Sequence, residues 1–178
     1  MSAGSGSRPS GGRFVSPPAD SVLPLVLPWR QVLGAGPGVR IALRSVRCWP
    51  EMVTFDVVIA ALEGGDHSEL FRHGVGRTDA GGVVLAVFYA DGRSATTSRW
   101  REQPHGADLL LYPGGGDGGH RHSCQLVHLC PPPPPAPFTV TVEWPDRGIP
   151  RTATTLDGAE IRLAAEQAMP LWAPRDPG

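Results

Sequence analysis

Val39-Arg40-Ile41-Ala42-Leu43-Arg44, followed beyond Trp49-Pro50-Glu51 by Val53-Thr54-Phe55-Asp56-Val57-Val58-Ile59, is the stretch that decides the fold. Val39, Ile41 and Leu43 alternate with Arg40, Ala42 and Arg44, the period of a half-buried strand. Val53, Phe55, Val57 and Ile59 repeat that period, with Thr54 and Asp56 on the opposite face. Trp49-Pro50-Glu51 reads as the turn between them, so the two runs form an antiparallel pair.

Working outward, further strands follow. Val83 to Ala90 is apolar on both faces, as a central strand is. Asp91-Gly92 is a two-residue hairpin signal, with Ser94 to Thr97 returning from it. Asp108 to Tyr112 is another apolar run, and Gly114 to Gly119 then breaks regular structure as a flexible hairpin loop. His120 to Cys130 resumes as a strand. Pro131 to Pro135 form a stiff polyproline crossover, although they also contain the PxxP spacing of docking peptides. Phe138, Val140 and Val142 alternate with Thr139, Thr141 and Glu143, and Thr152 to Leu156 makes a last strand. One helix begins at Asp157, where Asp157 and Glu160 have capping-box spacing. Ile161, Ala164, Ala165 and Ala168 give it an apolar stripe, Arg162 and Glu166 pair on its outer side, and Pro170 stops it. Residues 63–82 read as a long glycine-rich loop with room for one helical turn.

These elements predict a mainly β chain: a single antiparallel β-sandwich, Ig-like or jelly-roll-like, with one short C-terminal helix. The expected division is a disordered Gly/Ser/Pro-rich tail at 1–20, a loosely packed lead-in at 21–37, the sandwich domain at 38–172 and a tail at 173–178.

Composition excludes several chemistries. Among 178 residues there is no lysine, which removes lysine Schiff bases and phosphate-loop lysines, and no asparagine, which removes N-glycosylation sites. The net charge of −1 lacks the basic footprint of a nucleic-acid binder. The most apolar N-terminal stretch, Val22 to Leu27, is interrupted by Pro24 and stopped by Pro28, too short for a signal-peptide core, and no segment approaches the roughly 20 apolar residues of a membrane span. A cytoplasmic location is expected. Three cysteines, Cys48, Cys124 and Cys130, are too few and too odd for a disulfide framework. On one strand Cys124 and Cys130 lie about 20 Å apart, beyond disulfide reach.

Gly38-Val39-Arg40, Trp49-Pro50, Tyr89-Ala90-Asp91-Gly92-Arg93-Ser94-Ala95-Thr96, Val142-Glu143-Trp144-Pro145-Asp146-Arg147-Gly148-Ile149-Pro150, and Leu156-Asp157-Gly158 through Met169-Pro170-Leu171-Trp172 occur in this order. In these segments, and in a glycine run followed by a strand and prolines, the chain resembles a group of β-rich proteins from GC-rich bacteria without an established activity. The resemblance covers roughly residues 38–172 and implies that they are one unit. Members of that group carry aromatic residues where this chain has its histidines and cysteines, so a metal site here would be peculiar to this chain.

The candidate sites are few. His120, His122, Cys124, His128 and Cys130 share one face of a regular strand. Neighbours two apart can chelate together, but His120 and His128 would stand about 26 Å apart. Zinc would need one pair, such as His122 and Cys124, completed by His67, His73 or His105. The plainer reading is a partly buried face that accepts His and Cys. The glycine run lacks the following helix and the lysine of a phosphate loop, and Gly34-Ala35-Gly36 precedes a strand rather than a helix. Asp56 and Glu143 read as solvated surface charges, and Cys48 as a small buried hydrophobe. Of the tryptophans, Trp29 is placed to anchor the lead-in, Trp49 and Trp144 to pack at core edges, and Trp100, in a polar loop, is expected to be the most exposed; whether it is a contact is left open.

No residue is assigned a catalytic, cofactor-binding or metal-binding role. The expected function is a non-catalytic module that binds an unidentified protein partner, not nucleic acid or membrane. The alternatives are a metalloprotein or small enzyme built on the His/Cys strand, and a carbohydrate-binding sandwich using loop tryptophans.

Overall fold

The two alternating runs become adjacent antiparallel strands, β4 (Val39–Cys48) and β5 (Val53–Ala61), joined where the Trp49 N–H bonds the Met52 carbonyl. The computed structural model describes residues 16–62, 81–102, 107–118 and 121–172. The expected loop at 63–82 falls almost wholly outside the described residues, as do positions 1–15 of the N-terminal tail and the tail at 173–178.

The chain is mainly β, in open antiparallel sheets. Three short strands precede β4: β1 (Val22–Leu23), β2 (Leu25–Leu27) and β3 (Gln31–Gly36). The segment expected to wrap loosely thus supplies regular structure, and Leu27 and Leu33 are in the core. Its proline and glycine breaks keep each strand too short for a period to show. Both β2 and β3 pair with β4, at opposite ends of the same strand. On the other side of β5 come β9 (His122–Cys130) and then β8 (Leu110–Gly118), completing a six-stranded sheet. A second, four-stranded sheet holds β7 (Ser94–Thr96), β6 (Val84–Phe88), β10 (Pro137–Trp144) and β11 (Ile149–Asp157), with β6 and β10 central. The Asp91-Gly92 turn joins β6 to β7 with Gly92 at φ 90°, and the proline run carries the chain from β9 in one sheet to β10 in the other.

A bulge between Leu43 and Ser45 sets which side chains of β4 enter the core. The extra residue shifts the phase, so that Val46 and Cys48 join Ile41 and Leu43 inside, while Arg44 and Arg47 stay outside. One apolar cluster takes side chains from both sheets, including Ile41, Phe55 and Val57 from one and Leu85, Phe138 and Val142 from the other. Gly34 of β3 lets the layers close, because a Cβ there would stand 2.7 Å from Val142 and 2.9 Å from Ile149. Helix α1 (Gly158–Glu166) seals one end with Ile161, Ala164 and Ala165. Asp157 caps it by accepting the Ala159 N–H at 2.8 Å. The helix ends before Pro170, which instead lies in β12 (Met169–Pro170), a strand pairing with β1.

The glycine run is not a loop. Gly114 to Gly118 continue β8 against β9, through a bulge between Pro113 and Gly115. Glycine hid the strand because it leaves no alternation to read, yet its bareness is required. A Cβ on Gly116 would meet the Cys124 carbonyl oxygen and one on Gly114 would overlap the His128 ring.

Candidate functional site

The even-numbered residues of β9 share one face, turned away from the core cluster. Across the β5–β9 register His122 faces Ala60, Cys124 faces Val58 and His128 faces Thr54. The side chains do not converge. His122 is exposed, whereas Cys124 and His128 are buried. His120, His67, His73 and His105 lie outside the described residues. Among the described residues no three His, Cys, Asp or Glu side chains come together to hold a metal ion.

His128 is built into the packing. Its Nδ1 lies 2.9 Å from the Thr54 hydroxyl, which accepts the Trp49 indole N–H at 3.1 Å. The Tyr112 ring leans on it at 5.3 Å between centroids. Burial, with the Arg47 charge adding to it, pushes its pKa down to about 4, so it is neutral at pH 7. Beside it Trp49, Met52 and Tyr112 form a second small core, against which Val22, Leu110, Cys130 and Trp100 pack. Trp100 is therefore half-buried, with the Arg101 guanidinium over its ring, and is not the most exposed tryptophan that its polar neighbours suggest.

Further along the same face, three features that are separate in the sequence meet. Asp56 is only 2% exposed rather than solvated. Its Oδ2 accepts from Arg44 Nη2 at 2.7 Å and Nε at 3.0 Å, and from Ser45 Oγ at 3.4 Å. Its Oδ1 is buried without a hydrogen-bond partner among the described residues. Arg44 also reaches the Cys124 sulfur at 3.5 Å. Arg44, Asp56 and Cys124, with Arg47, Asp117 and the bare backbone of Gly114 to Gly116, line a depression of about 220 Å3. The two arginines and two aspartates balance in charge, and Arg44 is engaged by Asp56. Burial raises the pKa of the Cys124 thiol and leaves it protonated at neutral pH, which disfavours nucleophilic chemistry there. All three cysteines are free, and burial pushes Cys48 up to about 12 and raises Cys130. The network has no signal in the sequence, because it depends on the bulge at Arg44 and a bulge has no pattern of its own.

One group of exposed apolar side chains lies elsewhere. β1 and β12 pair Leu23 with Met169, and the Leu171 N–H bonds the Ser21 carbonyl at 2.9 Å. This ribbon ends at Trp172, which is 71% exposed yet held by a 2.8 Å hydrogen bond from its indole N–H to the Asp20 carbonyl. Leu23, Met169 and Leu171 are exposed as well. The sequence gives Trp172 no distinction, because nothing local shows that the N-terminal segment returns to meet it. No helix among the described residues is long and apolar enough to cross a membrane.

Comparison of the chain with protein families, with curated proteins and with solved structures finds no match.

Proposed function

We propose that this chain is a non-catalytic module that binds another protein, with Trp172 at the centre of the contact. The observation that carries this reading is an exposed tryptophan fixed in place by its own hydrogen bond to Asp20. A ring already ordered loses little conformational freedom on binding, and tryptophans in apolar surroundings are over-represented among residues that dominate interface energy. Leu23, Met169 and Leu171 of the same ribbon are exposed apolar side chains as well. A fitting partner presents an apolar pocket for the indole.

We read the two open sheets as the layers of one antiparallel β-sandwich, Ig-like or jelly-roll-like, a rigid platform for this ribbon. The near-zero net charge fits a protein partner better than a nucleic acid. Three free thiols fit a reducing, cytoplasmic setting.

The test is parallel affinity capture with the native chain and with Trp172→Ala, quantified by mass spectrometry. A protein captured by the native chain and lost with Trp172→Ala supports the reading. Equal recovery with both rules out Trp172 as the contact.

A further inference from the structure

The outer face of the four-stranded sheet carries a second surface, independent of Trp172. A trough of about 270 Å3 runs across it. It is shallow, just below the usual size range of small-molecule clefts. Along its floor lie Val84, Ala86 and Phe88 of β6, with Phe88 41% exposed at one end. The register sets hydroxyl groups on both flanks of this apolar line. Ser94 of β7 stands opposite Phe88, and Thr141 of β10 stands opposite Ala86 on the other side, both lining the trough; Thr96 lines it too, with its hydroxyl engaged by the Leu85 carbonyl and the Ser98 N–H. At the Val84 end, Arg151 and Glu143 form a two-pronged ion pair, with Nη2–Oε1 at 3.0 Å and Nε–Oε2 at 3.2 Å. The charged groups of the trough therefore cancel, and its remaining lining is neutral.

From this arrangement we infer that the trough is a binding site for a neutral oligosaccharide. A pyranose ring has an apolar C–H face and a rim of hydroxyls. The exposed Phe88 ring, with the half-buried Val84 further along the floor, matches the face. The flanking hydroxyls, and a carboxylate–guanidinium pair that can accept and donate at once, match the rim. An anionic or cationic ligand gains no net attraction from the Glu143–Arg151 pair. An extended peptide is less well suited, because β6 and β10 beneath the trough have both edges committed to ladders and β7, the edge strand, offers only three residues.

The experiment is calorimetric titration of the full chain with cellohexaose, laminarihexaose, xylohexaose, maltohexaose, mannohexaose and chitohexaose, each to about 5 mM, a range that captures weak millimolar binding. Saturable binding of at least one is expected. Phe88→Ala and Glu143→Gln, both surface changes, should each weaken it about tenfold by removing a stacking face or a charged acceptor. Trp172→Ala should bind the sugar as the native chain does, which separates this site from the protein contact. Circular dichroism confirms that each variant is folded. No binding across the panel overturns the inference, as does binding indifferent to both trough variants. Loss of a captured protein on Phe88→Ala, with no sugar bound, would assign the trough to a protein instead.

Discussion

Arg44 closes on Asp56 across the β4–β5 pair, placing Nη2 and Nε at 2.7 and 3.0 Å from one carboxylate oxygen. Asp56 is almost fully buried while the Arg44 side chain is 54% exposed, so the two ends of the pair are unequal. Arg44→Ala leaves the buried carboxylate with only the Ser45 hydroxyl and the more distant Arg47, 3.9 Å away, and should lower stability by about 2 kcal/mol, less than for a fully enclosed pair because water and Arg47 still reach it. Asp56→Ala removes the buried charge together with its partnerless Oδ1, so its cost should be smaller. Urea denaturation of both variants checks this order, and the reverse order would contradict it.

His128 predicts a pH dependence. Its folded pKa, about 4, lies below the ordinary 6.5, so the unfolded chain takes up a proton that the folded chain does not. The stabilising contribution is complete above pH 6.5 and is lost as pH falls towards 4. The loss should be about 2 kcal/mol by pH 5. His128→Asn should flatten the slope of stability against pH in that window. An unchanged slope would place the proton uptake on other groups.

The glycine strand predicts intolerance where a flexible loop predicts tolerance. Gly116→Ala drives a methyl against the Cys124 carbonyl and should cost about 2–3 kcal/mol, since backbone on both sides must move. At Gly114 the obstacle is the His128 ring. Gly114→Ala should therefore be costly in the native chain and nearly free beside His128→Ala, a coupling that a double-mutant cycle measures.

The thiols predict their own reactivity. Burial raises all three pKa values, and only Cys130 is partly exposed. Iodoacetamide at pH 7.5 should label the folded chain slowly and at Cys130 first, with Cys48 reached only after unfolding. Rapid labelling of Cys124, read by peptide mass, would contradict the placement described.

What the sequence disclosed came from periodicity and local chemistry. Val39-Ile41-Leu43, Phe138-Val140-Val142, the Asp91-Gly92 turn and the Asp157 cap each act through neighbours a few residues away, and each stands where it was expected. What it withheld depends on distant partners. Asp56 looks like any solvent-facing strand residue until the bulge turns Arg44 over it. The glycines of β8 carry no pattern until the His128 ring and the Cys124 carbonyl fill the space beside them. Trp100 sits among polar residues in sequence but against Met52 and Tyr112 in space, while Trp172 is exposed because its indole N–H is tied to Asp20 at the opposite end of the described chain. The even-numbered face of β9 was legible, but how its histidines and cysteines divide between packing and solvent was not.

The most direct measurement is hydrogen exchange by mass spectrometry on the chain alone and bound to the partner it captures. Binding through Trp172 predicts new protection concentrated at residues 20–23 and 169–172, with little change along β8 and β9. Protection elsewhere, with that ribbon exchanging as freely as before, would contradict a contact centred on Trp172.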